Sequence, residues 1–125
     1  MLTPVTIPIL TVATGGAIGS LLRYAAVQLT MRLHPAPFPF GTMVVNIIGS
    51  FIIGLMMAKF LQHDSESARL FFITGVLGGF TTFSAFSWDA LYMLQRGAFT
   101  SAAFYIGGSV ILSLAAVAAG FQLGR

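Results

Sequence analysis

The stretch from residue 70 to residue 88, LFFITGVLGGFTTFSAFSW, carries no charge over 19 residues. A helix of about 20 apolar residues crosses the roughly 30 Å hydrocarbon core of a bilayer, so this stretch predicts a membrane span. Near its centre, Gly78-Gly79 is followed closely by Thr81-Thr82. Because glycine weakens a helix and threonine hydroxyls bond backbone carbonyls, we expect the span to be broken at mid-membrane. Discontinuous helices at that depth bind ions in transport proteins.

Three further uncharged runs flank this stretch, and loops with charged or proline residues separate them. The runs cover residues 1–22, 40–58 and 97–124. Together they predict one all-α transmembrane domain over residues 1–125, with four spans per subunit. We place the spans at about residues 5–31, 39–61, 70–95 and 98–123.

The composition argues against several classes of protein. Charged residues make up 7% of the chain, whereas a soluble domain carries about 25%. The six basic residues are scattered rather than gathered into a stripe, so we expect no nucleic-acid partner. The chain has no cysteine, and its three carboxylates lie at or near span ends. No thiolate site and no deep catalytic pair follow from this pattern, so we do not expect an enzyme.

Basic residues in the loops do not set an orientation in the membrane. One side receives Lys59, Arg69 and Arg125; the other receives Arg32, Arg96 and, if it reaches the interface, Arg23. Two interpretations stay open: a weak bias that the insertion machinery corrects, or dual topology, in which copies insert both ways and pair antiparallel. Four spans make a thin structure, so a homodimer is the simplest expectation.

The first two spans each hold one strongly polar side chain. Arg23 lies well inside span 1, where it either extends to the headgroups or lines an aqueous vestibule that attracts anions. Asn46 lies about two turns into span 2, where its amide either bonds a neighbouring helix or donates to a dehydrated anion. The residues alone leave both pairs of alternatives open.

An aromatic series runs through span 3, where Phe80, Phe83 and Phe86 recur at every third residue. Such a ridge serves either packing or the solvation of an anion by ring edges, where the quadrupole is positive. In span 4, three hydroxyl residues share one face and predict a polar track about 12 Å long. These residues are Tyr105, Ser109 and Ser113.

The whole chain resembles the Fluc (CrcB-type) fluoride channels in length, in its four spans and in the order of its motifs. The matching motifs are Gly19-x-x-x-Arg23, Gly41-Thr42-x-x-x-Asn46, Gly75-x-x-Gly78-Gly79-x-Thr81-Thr82-Phe83-Ser84-x-Phe86-Ser87, and Tyr105 with its serines. The sequence departs from the family where Ala85 replaces a common threonine and Asp89 a frequent glutamate. Phe80, where leucine is common, and Val117, where threonine could continue the track, are further departures.

The resemblance implies a passive fluoride-selective channel that exports cytoplasmic fluoride across a bacterial plasma (inner) membrane. It implies an antiparallel, dual-topology homodimer with a structural sodium ion at the dimer interface, held by the backbone carbonyls of Gly78 and Thr81. The fluoride-pathway residues it implies are Arg23, Thr42, Asn46, Thr82, Phe83, Ser84, Phe86, Tyr105, Ser109 and Ser113. Two alternatives belong to other classes: a small dual-topology cation or drug exporter, and a structural membrane subunit without a pathway.

Overall fold

A computed structural model describes residues 4–125, and every regular element in that part of the chain is helical. The elements are α1 (Thr6–Leu33), α2 (Phe40–Phe60), α3 (Glu66–Arg69), a π-helical segment (Leu70–Leu77), α4 (Gly78–Phe80), α5 (Phe83–Gln95) and α6 (Phe99–Gly124). Residues 1–3 of the predicted 1–125 domain lie outside the described residues.

Four helical stretches are long and apolar enough to cross a membrane, as the sequence predicts. They are Thr6–Leu33, Phe40–Phe60, Glu66–Gln95 and Phe99–Gly124. Their apolar side chains are largely exposed on the outer surface of the subunit, as lipid-facing side chains are. The chain is therefore an integral membrane protein.

The third helical stretch begins at Glu66, four residues before the start predicted for span 3. The side chain of Ser65 explains the earlier start, because its hydroxyl accepts the Ala68 N–H at 3.4 Å and caps the first turn. From Leu70 to Leu77 the backbone adopts the wider π-helical form, and the helix ends at Phe80.

Thr81 and Thr82 have extended backbone angles between α4 and α5. Helix α5 then restarts at Phe83, capped by the Thr82 hydroxyl, which accepts the Ala85 N–H at 3.1 Å. The two-residue extended segment redirects the chain, so residues before and after it do not continue one helical face.

Two helix pairs pack through glycines. A Cβ at Gly19 of α1 would overlap the carbonyl oxygen of Val76 in the π-helical segment, so only glycine permits this crossing. A Cβ at Gly120 of α6 would likewise overlap the carbonyl oxygen of Phe51 in α2. Small residues let membrane helices approach closely and gain dispersion energy. The subunit thus consists of α1 against the first half of the third stretch, and α2 against α6.

A small core joins α5 to α6 beside these pairs. Met93 and Ala102 are buried there together with Tyr105, which is fully buried. The connection between the two helices is short and turns at Gly97, whose φ of 75° suits glycine. This tight hairpin fixes the position of α5 against the hydroxyl-bearing face of α6.

Candidate functional site

A cavity of about 380 Å³ opens at the extended segment Thr81–Thr82. Its lining includes Asn46 and Ser50 of α2, Phe83 and Phe86 of α5, and Ser109 and Ser113 of α6. Gly78 and Thr81 also line it. Most of the residues predicted to form the ion pathway therefore meet in one place.

Asn46 bonds the backbone of Thr82 through both ends of its amide. Its Nδ2 donates to the Thr82 carbonyl at 2.9 Å, and its Oδ1 accepts the Thr82 N–H at 2.7 Å. This paired geometry replaces hydrogen bonds that the extended segment cannot make within a helix. Of the two predicted alternatives, interhelical bonding is observed, and the second Nδ2 hydrogen is not needed for it.

Arg23 makes a contact that neither sequence interpretation included. Its Nε donates to the carbonyl oxygen of Gly79 at 2.9 Å, across from α1 to α4. A cationic donor at the end of a helix satisfies a carbonyl that lacks a helical partner and complements the negative end of the dipole. The side chain thus ties the end of α4 to α1.

The aromatic residues do not form one continuous ridge. Phe83 and Phe86 lie 5.5 Å apart at an interplanar angle of 42°. Phe80 belongs to α4, before the extended segment, and lies next to Gly49 of α2. The prediction of a single ridge was wrong because Thr81 and Thr82 are extended, which breaks the three-residue periodicity.

The hydroxyl series on α6 divides into different environments. Among the described residues, Ser109 Oγ is the one buried side-chain polar atom with no hydrogen-bond partner. Ser113 lines the same cavity. Tyr105 instead donates its hydroxyl to Asp89 Oδ2 at 3.0 Å and packs on Phe86 with ring centroids 5.3 Å apart. The track therefore has a free end at the cavity and a bonded end at Tyr105.

Four of the predicted pathway residues lie outside this cavity. Ser84 is exposed on α5, with its Oγ 3.2 Å from Thr82 Oγ1. Arg23 and Tyr105 make the contacts given above. Thr42 is buried and lines a second cavity of about 310 Å³, formed with Asp89 and the loop before α2.

Two of the polar residues at or beside the site, Ser50 and Asp89, were not predicted as site residues. Ser50 lines the cavity, and its Oγ donates to the carbonyl of Asn46 at 2.7 Å. Asp89 is the partner of the Tyr105 hydroxyl. The spacing of Ser50 from Asn46, one helical turn, was a signal for the first. No local signal joins Asp89 to Tyr105, because the two residues lie on different helices.

The chain matches a known protein family over most of its length. Residues 10–121 match the family described as CrcB-like protein, Camphor Resistance (CrcB). A protein of Agrobacterium fabrum (strain C58 / ATCC 33970) is 54% identical over 116 residues, which are 91% of this chain and 93% of the relative. A protein of Rhizobium meliloti (strain 1021) is 51% identical over 121 residues, which are 94% and 95% of the two chains. One of Paracoccus denitrificans (strain Pd 1222) is 48% identical over 116 residues, 93% of each chain.

Each of these three bacterial relatives is named a fluoride-specific ion channel FluC. The similarity spans all four membrane-crossing helices and the whole cavity. With a matching family model over most of its length and relatives near half identity, this chain belongs to the CrcB-like family.

Proposed function

We propose that this protein is a passive fluoride-selective channel that exports cytoplasmic fluoride. The names of its relatives support the ion and the type of transport. The observation that carries the proposal is Ser109 Oγ, buried in the cavity wall without a partner. An unpaired buried hydroxyl costs about 1–3 kcal/mol, a cost that a bound anion would remove by accepting its hydrogen.

The neighbouring groups supply the remaining solvation. The second Nδ2 hydrogen of Asn46 is a free donor beside the cavity. The edges of Phe83 and Phe86 bring partial positive charge without a fixed cation. Fluoride is small and strongly hydrated, so such donors replace its water while leaving binding weak enough for release.

A second copy of the chain completes the cavity in this proposal. Phe83 is 79% exposed in a single subunit although it lines the cavity. An antiparallel homodimer would cover it, and the balanced loop charges let copies insert in both orientations. We place Arg23, Thr42, Ser84 and Tyr105 along the approaches to the cavity.

A sodium ion fits the backbone at the extended segment. Gly78 and Thr81 line the cavity at the point where the helical ladder stops. Unwound backbone carbonyls are the ligands that transport proteins offer to sodium. The Gly78 and Thr81 carbonyls of two subunits would hold the ion at the dimer interface, where its charge would join the two copies.

Passive conduction fits the distribution of acidic groups better than coupled export. The three carboxylates of the chain are Asp64, Glu66 and Asp89, and the first two precede or begin α3. Asp89 accepts the Tyr105 hydroxyl near the end of the bundle. A cation or drug exporter needs a deep acidic residue for proton exchange. A structural subunit without a pathway would leave the Ser109 hydroxyl unexplained.

Flux from proteoliposomes tests the proposal. The purified protein is reconstituted with internal fluoride or chloride, and efflux is started with a potassium ionophore. We expect rapid fluoride efflux and chloride efflux near that of protein-free vesicles. Equal efflux of both anions, or no fluoride efflux above empty vesicles, would refute the channel proposal.

A further inference from the structure

Beside the extended segment, three backbone carbonyls, those of Gly78, Gly79 and Thr81, differ in which donors they could receive. In a continuous α-helix each N–H bonds the carbonyl four residues earlier. The carbonyls of Gly78, Gly79 and Thr81 would then accept from residues 82, 83 and 85. The N–H groups of Thr82 and Ala85 do not follow that pattern.

Side chains capture two of these N–H groups. The N–H of Thr82, the helical partner of the Gly78 carbonyl, donates to Asn46 Oδ1 at 2.7 Å. The N–H of Ala85, the helical partner of the Thr81 carbonyl, donates to Thr82 Oγ1 at 3.1 Å. Both diversions take a donor from the carbonyl of a residue that lines the cavity.

The carbonyl of Gly79, by contrast, accepts a hydrogen bond from a side chain. Gly79 lies between the two positions, and its carbonyl accepts the Nε of Arg23 at 2.9 Å. The guanidinium is permanently charged, so this carbonyl is closed to a cation. The Gly78 and Thr81 carbonyls thus lose their helical donors, while the Gly79 carbonyl is occupied by Arg23.

We propose that Asn46, Thr82 and Arg23 are positioning residues that select which carbonyls bind sodium. Asn46 and the Thr82 hydroxyl hold two N–H groups away from Gly78 and Thr81, and Arg23 blocks Gly79. The inference rests on the sodium site of the proposed function. It adds that the ion binds where the side chains of Asn46 and Thr82 have removed helical hydrogen bonds, not merely where glycine weakens a helix.

Sodium-dependent thermal unfolding tests this selection without relying on transport. The purified full chain is heated at increasing sodium chloride, with N-methyl-D-glucamine chloride holding ionic strength constant. A bound ion raises the unfolding temperature with concentration, which yields a half-saturating sodium concentration. Each variant is compared with the unchanged protein.

Thr82→Val and Asn46→Leu each remove one capturing oxygen at nearly constant volume. The freed N–H then returns to the Thr81 or Gly78 carbonyl, and half-saturating sodium should rise by about tenfold or more. Thr82→Ser keeps the hydroxyl and should stay within about threefold of the unchanged protein. Thr14→Val is the matched control, because the Thr14 hydroxyl bonds the Leu10 carbonyl within α1 at 2.8 Å.

Arg23→Lys keeps the charge but loses the planar Nε donor, and Arg32→Lys on the same helix is its control. We expect half-saturating sodium to rise for Arg23→Lys only. If Asn46→Leu does not fold, the two Thr82 variants still decide the question. Equal shifts for Thr82→Val and Thr82→Ser, unchanged midpoints in all variants, or no response to sodium by the unchanged protein would each overturn the inference.

Fluoride efflux of the unchanged protein is measured beside these titrations. Efflux together with unchanged sodium midpoints would overturn this inference and leave the channel intact. Shifted midpoints without fluoride efflux would support the inference about sodium and remove the channel proposal. The two proposals therefore fail separately.

Discussion

Single side chains at the cavity divide into groups that hold the backbone and groups left for a ligand. Asn46 and Arg23 each use one donor to hold the backbone of the third stretch. The Ser109 hydroxyl makes no hydrogen bond, although it is buried. A folded protein rarely leaves such a group unpaired unless another component satisfies it. This contrast makes Ser109 the most informative residue for mutation.

Ser109→Ala should separate function from folding. Removing an unpaired buried hydroxyl should leave the unfolding temperature unchanged or slightly raised, because no hydrogen bond is lost. Fluoride efflux should fall by about tenfold, the value of one hydrogen bond to a charged group. Thermal unfolding and proteoliposome efflux measure the two effects.

Ser20→Ala is the matched control, because the Ser20 hydroxyl donates to the Gly16 carbonyl of its own helix at 2.7 Å. It should keep normal efflux. Normal efflux in Ser109→Ala would instead show that the hydroxyl does not contact the ion.

The aromatic pair supports a second prediction at this scale. Phe83→Ile and Phe86→Ile remove ring edges at the cavity while keeping apolar volume, so efflux should fall by more than about tenfold. Phe80 lies before the extended segment, so Phe80→Leu should change efflux by less than about threefold. Similar losses in all three variants would favour packing as the role of the rings.

Among the elements, the third helical stretch depends most on its neighbours. It is π-helical, then α-helical, then extended, and its close contacts are made to the glycines of α1. Backbone groups that such irregular structure frees inside a bilayer must be satisfied by other helices. The packing of α1 against this stretch is therefore a condition for the cavity.

Gly19→Ala should disrupt this packing, because the added Cβ would overlap the Val76 carbonyl oxygen, which is backbone and cannot turn aside. We expect the unfolding temperature to fall and purified protein to aggregate, a destabilisation of about 1–3 kcal/mol. Gly16→Ala should be tolerated, because the added Cβ would lie 4.0 Å from the Gly75 carbonyl oxygen, an ordinary van der Waals distance. Size-exclusion chromatography and thermal unfolding distinguish the two outcomes.

The sequence predicted the elements better than their contacts. Four apolar runs between charged loops were sufficient to locate four helices, because the length of a span is set by the thickness of the bilayer. The π-helical form of Leu70–Leu77 was not predicted, since no residue type requires it. The Arg23 contact with Gly79 was also missed, because it depends on how deeply α1 crosses the third stretch.

At the scale of the whole molecule, the orientation of each subunit in the membrane decides how two copies can assemble. A single subunit leaves Phe83 largely exposed and the cavity unclosed on one side. The predicted topology divides the basic residues almost evenly between the two membrane faces. We therefore propose that copies of both orientations exist in one membrane and close each other's cavities.

Arg125→Cys provides a direct test of this proposal, because the sequence contains no cysteine and the introduced thiol is the one group labelled. An impermeant maleimide applied to intact cells should label about half of the protein, and the remainder should react only after the membrane is opened. Adding three lysines to the loop at residues 62–65 should drive that loop to the cytoplasmic side and change the labelled fraction. Labelling of all copies or of none would contradict dual topology.

Two side chains that bond the backbone of residues 78–82 are synthesised before those residues. Arg23 and Asn46 belong to the first two helices, so both precede residues 78–82 in the growing chain. When the irregular segment leaves the ribosome, the groups that satisfy its backbone are already available to it in the bilayer. A circular permutant that begins near residue 62 would reverse this order, and pulse-labelled insertion should reveal slower and less complete integration.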